Sequence, residues 1–494
     1  MLSKHLPFLL LLLCFSSVCS AAQDWFDGMA DDLPNVPLEV QQLHHEMLEY
    51  KNGNDLEAAI NASFDILDML ADEPEESLTR PLFNLALLQM VSGETELAIS
   101  NMQRCVELIE AAQGVFAPQL IQPLYSLGSA YRITGNHEQA LDALRRAQHV
   151  IHRHDGVYSS DQLDVVDQLT RLRIAEGDVA GAGREQYFYL KINEAEYGTD
   201  TLELIPALDK YALYLKDVGR FQGSIGHYQR SIQIIEAIYG AMDIRLIEPL
   251  QGIAEVRIHQ QEAMRYGMAM KTRKEPRVGI NFNDQPANPR GYLLQNPERA
   301  RTGDGEDALE RALNIISDYP ESDITDHIRA MVRLGDMYTI TGNSRASDLY
   351  KQAFEMMQGR EDLEELNNDL FGLPTRIQPR DTHVLPLYTS RVADTYFADV
   401  EMTVRPNGHT GSIRIIDANV PNQERKALKQ MLFRYRYRPK MVAGELVSTE
   451  MGIHQRYYPI AITSNTRSSR ANTDAVDTEA NTSSAIQAAD DISN

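Results

Sequence analysis

The sequence predicts a mainly α protein: a helical solenoid of stacked hairpins followed by a small α+β domain. Three observations predict it. Gly93, Gly135, Gly177 and Gly219 lie 42 residues apart, and Gly114, Gly156, Gly198 and Gly240 repeat that spacing half a period later. Between these glycines apolar residues recur at three and four, as in Leu124, Leu127, Tyr131 and Leu141, Leu144, Ala147, Val150, which paints one face of a helix. After Leu373 the composition changes: Pro374, Pro379 and Pro386 interrupt any helix, and Tyr396 to Val404 alternates as a strand does.

Residues 1–22 read as an export signal. Lys4 and His5 precede an apolar run from Leu6 to Phe15, and Ser20-Ala21-Ala22 supplies a small-x-small cleavage site ending at Ala22. The run is short for a bilayer crossing, which needs about 20 apolar residues. Cys19 is the alternative processing site, a lipidated first residue that would hold the chain at a membrane. Against it, Ser16 stands where bacterial lipoprotein signals carry leucine. Either route places the chain in the periplasm. Cys14 and Cys19 fall within the signal and leave Cys105 as the one remaining thiol, so no internal disulfide is available. Residues 23–37 are expected to be an N-terminal linker.

Residues 38–264 carry the repeats. Glycine accepts positive φ and so closes each helix in a tight corner. Pro81, Pro123 and Pro249 lie on the same grid, with Pro206 one residue off it, and suit first turns of helices. A lone hairpin cannot bury its apolar stripe, so the pairs must stack. Gly53 with Ala58 marks a degenerate first pair. The register lapses after Gly240, where Gln261 replaces the next glycine, and residues 265–301 read as an irregular insertion rich in turn signals. Leu334-Gly335, Tyr338 and Thr341-Gly342-Asn343 then echo Leu127-Gly128, Tyr131 and Thr134-Gly135-Asn136, so further helices are expected over 302–360. Residues 361–385 are expected to be a linker.

The unit Leu124, Leu127-Gly128, Tyr131, Gly135, Ala140, Leu144, Ala147 resembles the tetratricopeptide repeat. Further copies are Leu85-Ala86, Gly93, Ala98, Met102, Cys105 and Tyr211-Ala212, Leu215, Gly219, Ser224, Tyr228, Ser231; the unit at Gly177 places Arg173 where the aromatic belongs. The long period looks like the extended variant of kinesin light chains. The resemblance implies a protein-interaction scaffold in which the first helix of each pair lines a concave groove for partner peptides. The corresponding positions are Phe83, Leu87, Tyr125, Ser129, Arg132, Asp167, Arg171, Asp209 and Lys216.

Residues 386–462 form the expected second domain. Arg405-Pro406-Asn407-Gly408 is a strong turn signal between the strand ending at Val404 and a return strand from Ser412 to Val420. Pro421 to Phe433 reads as a helix with Ala427, Leu428, Met431 and Leu432 on one face, and Met441 to Tyr458 as a further strand pair turning at Ala443-Gly444. The run from Leu432 to Val447, with Arg436, Tyr437, Arg438, Pro439 and Gly444 as its motif, resembles the C-terminal domain of TonB-type proteins. That resemblance implies edge-strand pairing with a partner, and an outer-membrane receptor as that partner. Two departures stand beside it: Tyr-Phe-Ala-Asp replaces the glycine that usually precedes the first strand, and the proline-rich spacer is absent. Arg405, Arg414, Arg425, Lys426, Lys429, Arg434, Arg436, Arg438 and Lys440 give this stretch a positive field, suited to the chain's own acidic arm or to an anionic envelope component. Residues 463–494 are Ser-, Thr-, Asn- and Ala-rich and are expected to be disordered.

The whole chain has 47 Lys and Arg against 71 Asp and Glu, a net charge of -24, which argues against nucleic acid and anionic lipid as partners. It carries no Gly-x-Ser-x-Gly elbow, no phosphate-cradling loop and no paired cysteines for zinc. His152-x-His154 reads as solvated loop residues at a helix end, and His44-His45 as solvated residues on a helix surface. Thr302 to Asp307 lacks the ligand alternation of a calcium loop and reads as a turn leading into a helix from Ala308. Cys105 occupies a small, buried position. The sequence therefore predicts a non-enzymatic periplasmic scaffold without cofactor or metal, binding proteins or peptides of the envelope. The alternative is an accessory of TonB-type outer-membrane transport.

Overall fold

The computed structural model describes residues 29, 32–33, 36–270, 281–282, 285–286, 303–319, 321–377 and 396–457. The export signal, Cys19, most of the insertion and residues 463–494 lie outside the described residues. Helices pair in sequence: α1 (Leu38–Asn52) with α2 (Leu56–Met69), α3 (Thr79–Ser92) with α4 (Thr95–Gln113), α5 (Ile121–Ile133) with α6 (His137–His154), and α7 (Leu163–Ala175) with α8 (Val179–Tyr197). The pairs α9 (Ile205–Asp217) with α10 (Phe221–Tyr239), α11 (Ile247–Met270) with α12 (Gly303–Asp318), and α13 (Ile324–Thr341) with α14 (Ala346–Met357) continue the array. No described helix is long and apolar enough to cross a membrane.

All the ladder glycines sit at helix corners. Gly93, Gly135, Gly177 and Gly219 follow first helices and Gly114, Gly156, Gly198 and Gly240 follow second helices, with φ between 75° and 94°. That left-handed backbone, and not crowding, demands glycine: a Cβ on Gly135 would meet nothing within 4 Å. Gly128 is glycine for the opposite reason. A Cβ there would lie 2.6 Å from Leu144 Cγ, so its absence lets α5 and α6 close together. Leu124, Ala140, Leu144 and Ala147 are fully buried around that contact; each large aliphatic side chain so buried contributes about 1.5–3 kcal/mol. Neighbouring second helices are tied by Arg146 to Glu110, Arg230 to Glu194 at 2.5 Å and Arg311 to Glu236 at 2.6 Å. Between α6 and α8 Arg145 pairs with Glu185 at 2.5 Å, and the His152 and Phe188 rings meet edge-on, 6.3 Å apart.

Several expectations are corrected. At the first corner Gly53 is right-handed and Asn54 takes the positive φ, 59°. The insertion does not separate repeats but interrupts one hairpin, because α11 packs on α12 across it. Since α11 runs to Met270, Gln261 lies inside a helix and needs no corner glycine. From the insertion, Asn281–Phe282 (β1) and Gln285–Pro286 (β2) pair antiparallel. The helix expected from Ala308 already begins at Gly303. Residues 361–385 are not all linker: α15 (Glu364–Phe371) buries Leu366, Leu370 and Phe371 in the cluster that holds Tyr350 and Met357, and Thr375–Arg376 form β3. Met29 and Leu33, in the expected N-terminal linker, are buried in the first core cluster. His44 is also buried, because it falls on the inward stripe Val40, His44, Met47 of α1.

The C-terminal unit is a three-stranded antiparallel sheet in the order β5 (Thr410–Ala418), β4 (Tyr396–Val404), β9 (Thr449–Tyr457). Helix α16 (Asn422–Arg434) covers one face, placing Leu428 and Leu432 in one cluster with Val400, Met402 and Val404. β3 pairs with β6 (Tyr437–Arg438), and β7 (Met441–Val442) turns into β8 (Glu445–Leu446) through Ala443 and Gly444, both at positive φ.

Candidate protein-binding groove

First helices lie side by side: α5 touches α7, α9 touches α11, and α11 touches α13. Residues one period apart therefore recur along a common face. On that face Gln168 of α7 donates to the Tyr125 hydroxyl at 3.4 Å and accepts from Arg132 Nε at 2.9 Å. Asp167 receives Arg171 Nε at 2.9 Å and Lys210 Nζ of α9 at 2.7 Å. Burial alone would raise the Asp167 carboxyl, but these two cations hold it below its ordinary value. Lys210 also sits 3.9 Å above the Tyr189 ring. Further along, the Lys216 ammonium meets Glu255 of α11 at 2.5 Å, and the bonds from His259 and Lys216 pull Glu255 down to about 2. The face thus presents cations, carboxylates and phenols linked across helices.

Of the expected groove residues, the structure brings Tyr125, Arg132, Asp167 and Arg171 into this network, with Asp209 further along the same face. It does not leave Phe83, Leu87 or Ser129 available: they are 7%, 0% and 4% exposed. Helix α3 is enclosed on nearly every side, with Met29 and Leu33 in its core cluster and Asp32 bonded to Arg80 at 3.2 Å. Lys216 is buried as well, 6% exposed, with its charge committed to Glu255. Sequence reasoning missed Gln168, Lys210, Gln251 and Glu255. The period held the signal for three of them. Gln251 stands 42 residues after Asp209, and Gln168 and Lys210 each follow a named grid position.

The C-terminal motif faces inward. Arg438 grips Asp336 of α13 with two bonds, 2.9 Å from Nε and 2.6 Å from Nη2, and its Nη1 donates to the Leu370 carbonyl at 3.3 Å. The Tyr350 hydroxyl donates to the same Asp336 carboxylate at 2.8 Å. Tyr437 is 2% exposed, and its N–H donates to the Gly408 carbonyl at 2.9 Å. Arg436 bonds the carbonyls of Arg434 and Tyr435, each at 3.1 Å. Pro439 leads into the β7–β8 turn, where Gly444 supplies φ 80°. The motif fastens the sheet to the last helical pair; Lys351 and Glu445, 2.8 Å apart, add a surface contact.

Hairpins with a close helix contact, a left-handed glycine corner and small residues on the second helix are one recurrent design. Residues 78–148 match the tetratricopeptide repeat. They span the α3–α4 hairpin and most of α5–α6, where Gly128 meets Leu144. No curated protein matches the chain. Among solved structures, the TPR-like repeats of a Podosopora anserina kinesin light chain are 15% identical, covering 42% of this chain and 99% of that one at a TM-score of 0.36. A tetratricopeptide repeat protein from Parabacteroides merdae is 16% identical, covering 67% and 98% at a TM-score of 0.32. The apo form of RapI is 12% identical, covering 70% and 98% at a TM-score of 0.37. Tetratricopeptide arrays commonly mediate protein–protein interactions and are typically not enzymes.

Proposed function

We propose that this chain is a non-enzymatic scaffold of the bacterial cell envelope whose row of first helices binds peptide segments of partner proteins. The cross-helix network of Tyr125, Arg132, Gln168, Asp167, Arg171 and Lys210 carries this reading, because it spans three helices with side chains suited to a bound backbone. The apolar run Leu6 to Phe15 and the small residues before Ala22 support export to the periplasm, with Cys19 as the alternative lipid anchor. Mass spectrometry of the mature N-terminus separates the two. The functional test is a pull-down from periplasmic extract with full-length tagged protein. Arg132→Glu with Lys210→Glu should lose the specific partner, whereas Arg104→Glu on the second helix α4 should keep it. Equal capture by both variants would sink the reading.

A second reading, an accessory of TonB-type outer-membrane transport, is favoured by one observation. β5 and β9 are the edges of their sheet among the described residues, and an edge strand accepts an added strand. Proline substitutions along β9 should then abolish co-purification of a receptor; unchanged co-purification would remove this reading.

A further inference from the structure

Helix α16 is anchored along one stripe and bare along the other. Leu428 and Leu432 are fully buried against the sheet. Lys426, Lys429, Phe433 and Arg434, spaced at three and four, share the opposite face and are exposed, the Phe433 ring by half. The helix carries four cations against one acidic residue, Glu424, four positions before Leu428. Among the described residues no carboxylate pairs with Lys426, Lys429 or Arg434. Several other cations of this unit do have partners: Arg414 has Glu401, Arg438 has Asp336, and Arg425 bonds the Val420 and Ala418 carbonyls. In a chain of net charge -24 this face is a cationic exception beside an exposed ring.

The same chain carries a complement to it. After Arg470 there is no further Lys or Arg, and there are five carboxylates: Asp474, Asp477, Glu479, Asp490 and Asp491. The first three stand within six residues, around Val476. Extended, those six residues span roughly 17 Å, against about 12 Å along the helix from Lys426 to Arg434. The sheet also hands the chain over at the right end. Tyr457, the last residue of β9, pairs with Tyr396, and on the other side of β4 Ala398 pairs with Ala418, four residues before α16 begins. Tyr457 therefore leaves the sheet where α16 enters, two strands away, or about 10 Å. The 17 residues from Tyr457 to Asp474 reach up to roughly 55 Å, well beyond the length of α16, about 20 Å.

We propose that the acidic segment 474–479 docks on the outward face of α16. Its three carboxylates meet Lys426, Lys429 and Arg434, and Val476 meets the Phe433 ring. Exposed ion pairs are weak singly, and here the tether compensates. A segment held at about millimolar effective concentration, with an intrinsic affinity near 0.1 mM, leaves roughly a tenth of the faces free. The chain thereby shields this face from other polyanions, independently of the groove.

The test is binding of fluorescein-labelled polyglutamate to the full-length chain, read by anisotropy at low salt. Asp474→Asn with Asp477→Asn and Glu479→Gln should raise the affinity about tenfold over the unaltered chain. Adding Lys426→Gln, Lys429→Gln and Arg434→Gln should abolish that gain, with unchanged thermal unfolding showing that the sheet is intact. Carbodiimide should cross-link Lys426 or Lys429 of the unaltered chain to residues 474–479. Arg434→Gln leaves every cross-linkable group in place and should lower that yield. Polyglutamate binding that the tail substitutions leave unchanged overturns the proposal; if the helix substitutions alone remove it, the face serves an external acidic partner instead. A gain that survives the helix substitutions, or the lack of cross-links to 474–479, also overturns it.

Discussion

Replacing Arg438 by methionine should loosen the C-terminal sheet from the helical array. The Arg438 and Asp336 side chains are 11% and 16% exposed, so the pair is screened little by water. Removing one partner of a buried ion pair typically destabilises by about 3–5 kcal/mol, because the other charge is left without its counter-ion. Tyr350 would still donate to Asp336, which places the expected loss near the lower end, about 3 kcal/mol. The assay is urea unfolding of the full chain, with limited proteolysis to report which part opens first. Arg438→Met should unfold its C-terminal sheet at lower urea than the rest of the chain. Adding Asp336→Leu should recover part of the loss, since the stranded carboxylate is then gone. Arg414→Met is the control. Its partner is Glu401 and their side chains are 75% and 52% exposed, so water screens the pair and the urea transition should barely move. A loss below about 1 kcal/mol for Arg438→Met, the value of a surface pair, would refute the reasoning.

Three further outcomes are expected. Asp209 titrates near 6 instead of 3.8, so the folded chain holds that proton more tightly than the unfolded chain, and stability falls as pH rises between those values. Asp209→Asn should therefore raise the unfolding free energy measured in urea at neutral pH, by at most about 3 kcal/mol, and flatten this pH dependence; destabilisation at neutral pH would count against the burial assigned to it. Gly128→Ala should lose about 1–3 kcal/mol by driving a methyl into Leu144, and Leu144→Ala in the same chain should make the added methyl harmless; additive losses by thermal unfolding would contradict the close contact. Glu255→Gln should lose about 1–3 kcal/mol at neutral pH because the buried Lys216 ammonium loses its counter-charge, and Lys216→Met in the same background should restore most of it by urea unfolding.

The parts of the fold legible in the sequence are those fixed locally. A left-handed corner admits little besides glycine, so a ladder of glycines reports helix ends directly. An Asn-Gly turn between alternating segments likewise announced the β4–β5 hairpin. What depends on distant partners was not legible. Arg438 and Asp336 lie 102 residues apart, and nothing near either one announces the other. The partnership of α11 with α12 spans the insertion, so a search for a local period ends at Gly240. Leu363, Leu366 and Leu370 do have helical spacing, but Pro374, just beyond, drew the whole stretch into a linker. The groove was half legible for a related reason. The period puts Tyr125, Asp167 and Asp209 on one face, whereas Phe83 and Leu87 are buried in a cluster that gathers residues of several helices together with Met29 and Leu33.

Photo-crosslinking in living cells tests the central claim most directly, with benzoylphenylalanine placed at Tyr125 on the face of first helices and at Phe64, half exposed on the second helix α2. A discrete protein adduct is expected from position 125 that disappears with Arg132→Glu and Lys210→Glu, and none from position 64. Adducts from position 64 alone, or an adduct at 125 untouched by those charge reversals, would contradict it.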